Sequence, residues 1–232
     1  MAAKFDALDA LRKYIDPNAS RGQATDTATE AMREAILDGV LAPSTWLRED
    51  YIADALGVSR TPIREALRRL ADEGLVVKTA HHGTLVASLS LEDVLALYVV
   101  RESLEGLAAR LAAGRQSSDL VAHLTALNDE LRRFVGENDL EKILRANLEF
   151  HRALREASSN PHLDRFLLQV ERAVRRLPAY TFRAPGRLDE VLCEHDAIIE
   201  AISNRDPDAA ERLAKEHILR ARETRLKLLL GS

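Results

Sequence analysis

The stretch 56–70 constrains the fold of this chain most, because it combines a tight turn with a strongly patterned helix. Gly57 is placed to end one short helix in the left-handed conformation, which costs residues with side chains more. Thr61 is predicted to cap the next helix with its hydroxyl group. Pro62 suits the first helical position, where a backbone N–H is not needed. Two helices joined by a tight turn are therefore expected here.

The second of these helices, predicted at 61–73, has one apolar face and one basic face. The apolar side chains recur at helical spacing, at Ile63, Ala66, Leu67 and Leu70. Arg64 and Arg68 stand one turn apart on another face, and Arg60 lies just before the first turn. A helix that packs its apolar back into a core and presents guanidinium groups in front is typical of DNA recognition.

The surrounding elements predict a winged helix-turn-helix. Helices are expected at 26–40, 48–56 and 61–73, and β-strands at 75–78 and 84–87. Gly74 stops the third helix, and the two strands form a hairpin around a short tip. The third helix of such a fold enters the major groove of DNA. We therefore assign residues 21–88 to a DNA-binding domain.

Residues 1–20 form an N-terminal arm with a short amphipathic piece, Phe5 to Ile15, that residues 16–20 interrupt. An isolated helix of this length is marginal in water unless it packs against something. Two interpretations stay open: a loosely ordered arm, or an arm that packs on a partner subunit.

The rest of the chain follows a helical pattern. Helices are predicted at 90–113, 118–136, 139–158, 162–177, 187–203 and 207–229. Six helices with short connections form an antiparallel bundle, so residues 89–232 are expected to be a helical domain. The fold class is mainly α, in agreement with an aromatic content of only 4% and abundant helix-forming residues.

Composition excludes several classes of protein. The net charge is −4, so any DNA contact must come from a local basic patch. The single cysteine, Cys193, excludes a disulfide framework and a cysteine-based zinc site within one chain. There is no run of about 18 apolar residues and no apolar signal segment, so we expect a cytoplasmic protein without a membrane partner.

Four arginines stand against the single glutamate Glu65 within 59–69. The planar guanidinium group matches guanine O6 and N7 and attracts phosphates. Taken alone, such a face is equally consistent with an ordinary solvated helix. The turn before it and the hairpin after it favour DNA.

Three histidines, His151, His195 and His217, lie on three different predicted helices, and Asn147 stands one turn before His151. Imidazoles that converge in a bundle suit a divalent cation such as Zn²⁺, Ni²⁺ or Mn²⁺. Spacing alone favours three unrelated histidines.

The chain resembles the GntR family of bacterial transcription regulators, in its FadR-like branch. The resemblance is carried by residues 56–67, 73–76 and Gly83, and in the second half by residues 98–105, 147–151, 159–160, 194–198 and His217. It spans roughly residues 26–229.

For the first domain, the resemblance implies that Arg60 and Arg64 read bases and that His82, before Gly83, reaches the minor groove. Ser59 and Thr61 are placed for phosphate contacts at a helix N-terminus. Arg48 is a further candidate for a backbone contact. Some relatives carry the basic residue two positions later, where this chain has Asp50.

For the second domain, the resemblance implies a metal site made by Asn147, His151, His195 and His217, and an effector contact at Arg101. Many relatives have Asp at the position of Asn147. A neutral amide oxygen predicts lower metal affinity, or greater reliance on an anionic effector. Arg101 suits a carboxylate, although an ion pair with Glu105 would also explain it.

The resulting expectation is a homodimeric regulator, with repression of metabolic genes as the expected mode, that binds a pseudo-palindromic operator and a small carboxylate metabolite. One alternative is a DNA-binding protein with a purely structural bundle. Another is a metal-dependent hydrolase, which needs a general base beside the metal. Glu149 and Glu194 are the nearest candidates, but both diverge from the neighbouring histidine along the helix. We therefore expect no enzyme.

Overall fold

The computed structural model describes residues 10–14, 23–79, 83–115, 118–177 and 179–231. The chain divides into two units, residues 1–90 and 91–232. Each is described by itself.

The first unit is a winged helix-turn-helix, as predicted. Its elements are α1 (Ala24–Leu37), β1 (Trp46–Leu47), α2 (Glu49–Leu56), α3 (Arg60–Asp72), β2 (Val76–Thr79) and β3 (Gly83–Val86). The three strands form an antiparallel sheet in the order β1-β3-β2. Leu85 in the central strand lies opposite Trp46 on one side and Val77 on the other. Of these strands, the sequence predicted only β2 and β3. The strand β1 was missed because it has two residues and shows no alternation of apolar and polar side chains.

An apolar core joins the helices of this unit to its sheet. The residues that contribute to it include Met32, Ile36, Ile52, Ile63, Leu67, Leu70, Leu75 and Val86, all with at most 3% of their surface exposed. Each such side chain contributes roughly 1.5–3 kcal/mol by leaving water. The predicted apolar face of α3 is therefore the face that packs into the core and holds this helix in place.

Gly57 adopts the predicted left-handed conformation, with φ of +67°. The predicted cap at Thr61 is wrong, because Ser59 is the extended residue before α3 and the helix starts at Arg60. The Ser59 side chain makes no capping hydrogen bond. Pro62 is therefore the third helical residue, which still loses nothing because the first N–H groups of a helix have no partner within it.

Part of the predicted arm packs on its own domain. Residues Ala10–Tyr14 form a 3-10 helix, and the Leu11 side chain is fully buried in the core of the first unit. Arg12 Nε donates to the backbone oxygen of Ala55 at 3.1 Å. The remainder of the arm, 1–9 and 15–20, lies outside the described residues.

The second unit is the predicted six-helix bundle. Its helices are α4 (Leu91–Gly114), α5 (Ser118–Glu137), α6 (Leu140–Ala157), α7 (Pro161–Arg175), α8 (Arg187–Ser203) and α9 (Pro207–Leu230), with a 3-10 helix at Ala179–Arg183. Side-chain caps begin three of them: Asp139, Asn160 and Asp206 accept from backbone N–H groups. The caps explain why these helices begin where the sequence predicted.

Helices α4 and α9 pack closely along each other. A Cβ atom at Gly106 would lie 2.7 Å from Lys215 Cγ and 3.2 Å from the Glu211 backbone oxygen. A larger residue at this position would have to displace the Lys215 side chain and press on the α9 backbone, so Gly106 permits the close approach of the two helices. Among the described helices, none is long and apolar enough to cross a membrane.

Candidate metal centre and nucleic-acid interface

The three predicted histidines meet inside the bundle. His151 lies on α6, His195 on α8 and His217 on α9, and their ligand-capable atoms lie within 4.8 Å of one another. The Nε2 atoms of His151 and His217 are 3.4 Å apart. His195 is fully buried, and its ring stacks on Phe150 with a centroid separation of 3.7 Å.

A protein acceptor faces the Nδ1 atom of each imidazole. The distances are 2.8 Å from His151 to Glu105 Oε2, 2.6 Å from His217 to Glu194 Oε2 and 3.2 Å from His195 to Asn128 Oδ1. A carboxylate only accepts, so Nδ1 of His151 and His217 carries the proton. Asn128 donates its amide to Asp196 and to the backbone oxygen of Leu192, so its oxygen accepts from His195. All three lone pairs are therefore on Nε2, the arrangement that hydrogen-bond acceptors at Nδ1 impose on histidines that bind metals.

Two buried polar atoms at this site lack a hydrogen-bond partner among the residues that the structure describes. One is His195 Nε2, in the cluster itself, and the other is Asn147 Oδ1, on α6 one turn before His151. A buried unpartnered nitrogen or oxygen is costly unless a ligand or ion satisfies it. Neutral imidazole nitrogens and one amide oxygen fit a borderline divalent cation such as Zn²⁺ or Ni²⁺.

Burial and hydrogen bonding favour neutral His195 and His217 and an ionised Glu194. Burial lowers the pKa of His195 well below its usual value, and the neighbouring His217 and His151 lower it further. Burial also lowers the pKa of His217 to about 4, although the bond to Glu194 opposes this. Burial opposes ionisation of Glu194, yet hydrogen bonds from His217 and Arg187 lower its pKa to about 2. At neutral pH His195 and His217 are therefore in the form that binds metals.

Glu194 is itself held by a buried arginine. Arg187 donates from Nη1 and Nη2 to the two carboxylate oxygens at 2.7 and 2.8 Å. Arg220 adds a third, more exposed contact at 3.2 Å. Glu194 thus points at the Nδ1 side of His217 and not at the three Nε2 atoms. The other base considered from the sequence, Glu149, pairs with Arg152 at 2.9 Å at the surface.

Arg101 forms the ion pair considered from the sequence and also lies beside His151. Its Nε donates to Glu105 Oε1 at 3.0 Å, which is the intrahelical ion pair. Its Nη2 lies 3.4 Å from His151 Nε2, and the side chain lines a small cavity beside that histidine. Burial opposes ionisation of Glu105, but His151 and Arg101 hold its pKa far below the usual range.

Sequence reasoning missed the residues that orient the histidines. Asn128 on α5 and Arg187 at the start of α8 reach the site from 67 and 8 residues away from His195 in the chain. No local pattern marks either residue. Glu105 was considered only as a partner of Arg101, and its second contact, to His151, depends on the packing of α4 against α6.

The predicted DNA-reading residues lie at the exposed start of α3. Ser59, Arg60 and Thr61 are all exposed. The Arg60 side chain makes no hydrogen bond or ion pair with any part of the chain that the structure describes. Arg64 is 69% exposed, and Glu49 holds its guanidinium group through contacts at 2.8 and 3.2 Å. Arg60 is thus free to contact DNA, whereas Arg64 starts from an ion pair.

The other arginines nearby are engaged. Arg68 pairs with Glu65 at 2.7 Å and with Asp72 at 2.9 Å, and Arg69 pairs with Asp26 at 2.6 Å. Arg48 pairs with Asp50 at 3.0 Å and lies over the ring of Tyr51.

In the wing, Gly83 is exposed with φ of +98°. The predicted minor-groove residue His82 lies outside the described residues.

Comparisons with known proteins agree with this architecture. Residues 24–86 match the gntR family of bacterial regulatory proteins, and residues 96–220 match the FCD domain. The HTH-type transcriptional regulator YdhC of Bacillus subtilis is 30% identical over 81% of this chain and 83% of its own length. A Paenarthrobacter nicotinovorans protein named "Probable D-xylose utilization operon transcriptional repressor" is 28% identical over 88% and 91%.

A solved structure shares the fold. The crystal structure of a putative GntR transcriptional regulator from Rhodococcus sp. RHA1 superposes with a TM-score of 0.71 at 25% identity, over 90% of this chain and 98% of that one. These relatives are regulators, which confirms the expectation of a DNA-binding protein and not an enzyme. The chain therefore belongs to the GntR family of transcriptional regulators, in the group that combines a winged helix-turn-helix with an FCD domain.

Proposed function

We propose that this DNA-binding regulator is a homodimeric repressor of metabolic genes, controlled by a small organic acid that binds at a divalent cation. In this proposal residues 21–88 read the operator, and residues 89–232 bind the effector. The observation that carries it is the cluster of His151, His195 and His217, whose nitrogen lone pairs converge. One of these nitrogens, His195 Nε2, is buried and has no hydrogen-bond partner among the described residues.

The proposed DNA contacts divide by exposure and charge. Arg60 and Arg64 supply the base contacts, since a guanidinium group pairs with guanine in two places. Ser59 and Thr61 lie where the N-terminus of α3 favours phosphate. Arg48 contacts the DNA backbone once its ion pair with Asp50 is broken. His82 and Gly83 contact DNA from the wing. Two such domains in a dimer match a pseudo-palindromic operator. Because the target is chromosomal DNA, the protein acts in the cytoplasm.

The proposed metal centre uses the three histidines, with Asn147 as a further oxygen ligand. Zn²⁺, Ni²⁺ and Mn²⁺ are the candidate ions. The cation supplies a Lewis-acidic position that an effector carboxylate can occupy. The neutral Asn147 side chain cancels none of the metal charge. An anionic effector therefore contributes more to metal binding here than it would in a relative with aspartate at this position. Arg101 lies close enough to His151 to contact that carboxylate.

Control of DNA binding requires that the effector distinguish two arrangements of the dimer. An effector with equal affinity for both shifts nothing, however tightly it binds. The proposal therefore predicts that the organic acid changes operator affinity, and that operator DNA changes affinity for the acid by the same factor.

The metal part is tested by metal analysis of the purified protein. Wild type should carry a stoichiometric divalent ion, and His195→Gln should lose it. His123→Gln is the matched control, because His123 is exposed on α5 and should leave the metal content unchanged. Equal metal content in all three proteins would refute the assigned ligands.

The DNA part is tested with an operator selected from random duplexes. Arg64→Ala should weaken binding to that operator about 10–100-fold and relax the preference at one base pair. Arg132→Ala is the control, since Arg132 lies on the bundle and pairs with Asp129. If organic acids never change operator affinity, with or without a chelator, the bundle is structural and the effector part fails.

A further inference from the structure

A buried arginine beyond the histidines carries an inference about the effector itself. Arg155 lies one turn after His151 on α6, and its side chain is 10% exposed. Asn147, His151 and Arg155 follow one another at four-residue spacing and so project from the same face of the helix. This face leads from the candidate metal centre to a second cationic group.

The hydrogen bonding of Arg155 is incomplete. Its Nη1 donates to Glu171 Oε2. Its Nε lies 2.9 Å from Asp164 Oδ1, yet the N–H is not directed at that oxygen, and the buried Nε has no hydrogen-bond partner among the described residues. Arg155 therefore has an unused donor in addition to the one that holds Glu171.

Arg101 and Arg155 line the same cavity beside His151, each with a glutamate on its guanidinium group. Glu105 accepts a hydrogen bond from Arg101, and Glu171 accepts one from Arg155. The cavity volume is about 20 Å³, little more than one water requires. A ligand would thus enter by taking the place of the two glutamate carboxylates. Both can leave without becoming unpaired.

The displaced glutamates keep other partners. Glu105 retains the bond to Nδ1 of His151, at 2.8 Å. Glu171 Oε1 lies 3.6 Å from Arg152 Nη2, and Arg152 is 41% exposed. Movement of Glu171 toward Arg152 would free Arg155 for an anion.

Charge favours an effector with two negative charges. Without a cation, the buried Arg101–Glu105 and Arg155–Glu171 pairs balance, and Asp164 beside Arg155 is 46% exposed and therefore screened by solvent. A divalent cation on the imidazoles and the Asn147 amide adds two positive charges that these buried pairs do not cancel. A dianion restores the balance in a buried pocket, where uncompensated charge is costly.

We propose that Arg155 is a specificity-determining residue and that the effector is a short dicarboxylate; this inference rests on the proposed function. One carboxylate binds at the cation beside Arg101, and the other binds Arg155. Four residues of helix separate His151 and Arg155 by about 6 Å, which suits an acid of about four or five carbons. Leu148 and Leu167 line the cavity between them and face the methylene groups.

Calorimetry with the Zn²⁺-loaded full-length protein tests this, with succinate against butyrate. The two acids have equal chain length and differ in one carboxylate. Wild type should bind succinate at least about tenfold more tightly, and Arg155→Gln should reduce the ratio to about twofold or less without changing butyrate affinity. Arg145→Gln, an exposed arginine on the same helix, is the control and should keep the wild-type ratio.

The double variant Arg155→Gln/Glu171→Gln controls for misfolding of the single variant. It removes both charges of the pair and so leaves no buried carboxylate unpaired. It should show the same loss of preference with a wild-type circular dichroism spectrum. Equal affinity of wild type for succinate and butyrate would overturn the dicarboxylate inference and leave the proposed function standing. Absence of binding by both acids would also overturn the dicarboxylate inference, and the metal analysis and the operator assay would then decide the proposed function.

Discussion

The change Glu194→Gln tests whether the buried ion pair under the histidines stabilises the bundle. Glu194 receives two hydrogen bonds from Arg187, whose side chain is 3% exposed, and one from Nδ1 of His217. Glutamine keeps the size of the side chain and one acceptor oxygen. Its amide group, however, places a donor against the guanidinium group of Arg187 and removes the neutralising charge.

Removal of one partner from a buried pair costs about 3–5 kcal/mol, because the remaining charge loses its buried counter-ion. Arg187 keeps Glu190 at 3.0 Å, but that side chain is 62% exposed and offsets only part of the cost. For a unit of this size, such a loss lowers the melting temperature by about 10–20 °C. The same change loosens the orientation of His217, so metal affinity should fall about 10–100-fold.

The assay follows both units in one sample. Trp46 is the single tryptophan and lies in the first unit, so its fluorescence reports there, whereas far-UV circular dichroism is dominated by the bundle. In Glu194→Gln the circular dichroism transition should shift and the fluorescence transition should not. Arg220→Gln is the control: Arg220 contacts the same carboxylate but is 52% exposed, so the loss should stay below about 1 kcal/mol. A bundle of Glu194→Gln as stable as that of Arg220→Gln would refute the reasoning.

Three further changes test other parts of the structure. Gly57→Ala forces a side chain into a left-handed position with open space around it, so the first unit should lose about 1–2 kcal/mol from the backbone alone, measured by urea titration of Trp46 fluorescence. Leu11→Ala should cost the same unit about 2–5 kcal/mol because Leu11 is fully buried; a change within about 0.5 kcal/mol would mean that the arm does not dock. Asn147→Asp adds a carboxylate and should tighten Zn²⁺ binding by on the order of tenfold or more, measured by competition with a chelating dye.

Local chemistry explains how much of the DNA-binding unit could be predicted. Gly57 and the apolar spacing of α3 act within a few residues, so the turn and the buried face were correct. The strand at Trp46–Leu47 was missed because its hydrogen bonds go to β3, some 40 residues later in the chain. The cap at Thr61 was wrong because the extended residue before the helix is Ser59, a choice among neighbouring hydroxyl residues that spacing does not determine.

The bundle shows the same limit more clearly. Helical periodicity and capping residues such as Asn160 located its helices to within about two residues, the usual uncertainty of helix ends. Spacing alone did not unite the three histidines, and only the family resemblance did. Asn128 was missed because it acts across an interface between helices. Arg187 was missed because it matters only through Glu194 on the same helix, whose contact with His217 crosses to α9. Residues that orient ligands from a distance require the packed structure.

The acceptors on the three Nδ1 atoms have a consequence for how the protein would handle metal. Because Glu105, Glu194 and Asn128 already restrict rotation of the rings, a cation that binds there does not have to order them. The fold of the bundle rests on its own core, unlike a zinc finger, which collapses when its ion is removed. A chelator would therefore empty the site and leave a folded molecule that can be refilled. If the proposed cation binds, its occupancy would then follow the supply of metal within the lifetime of a single protein molecule.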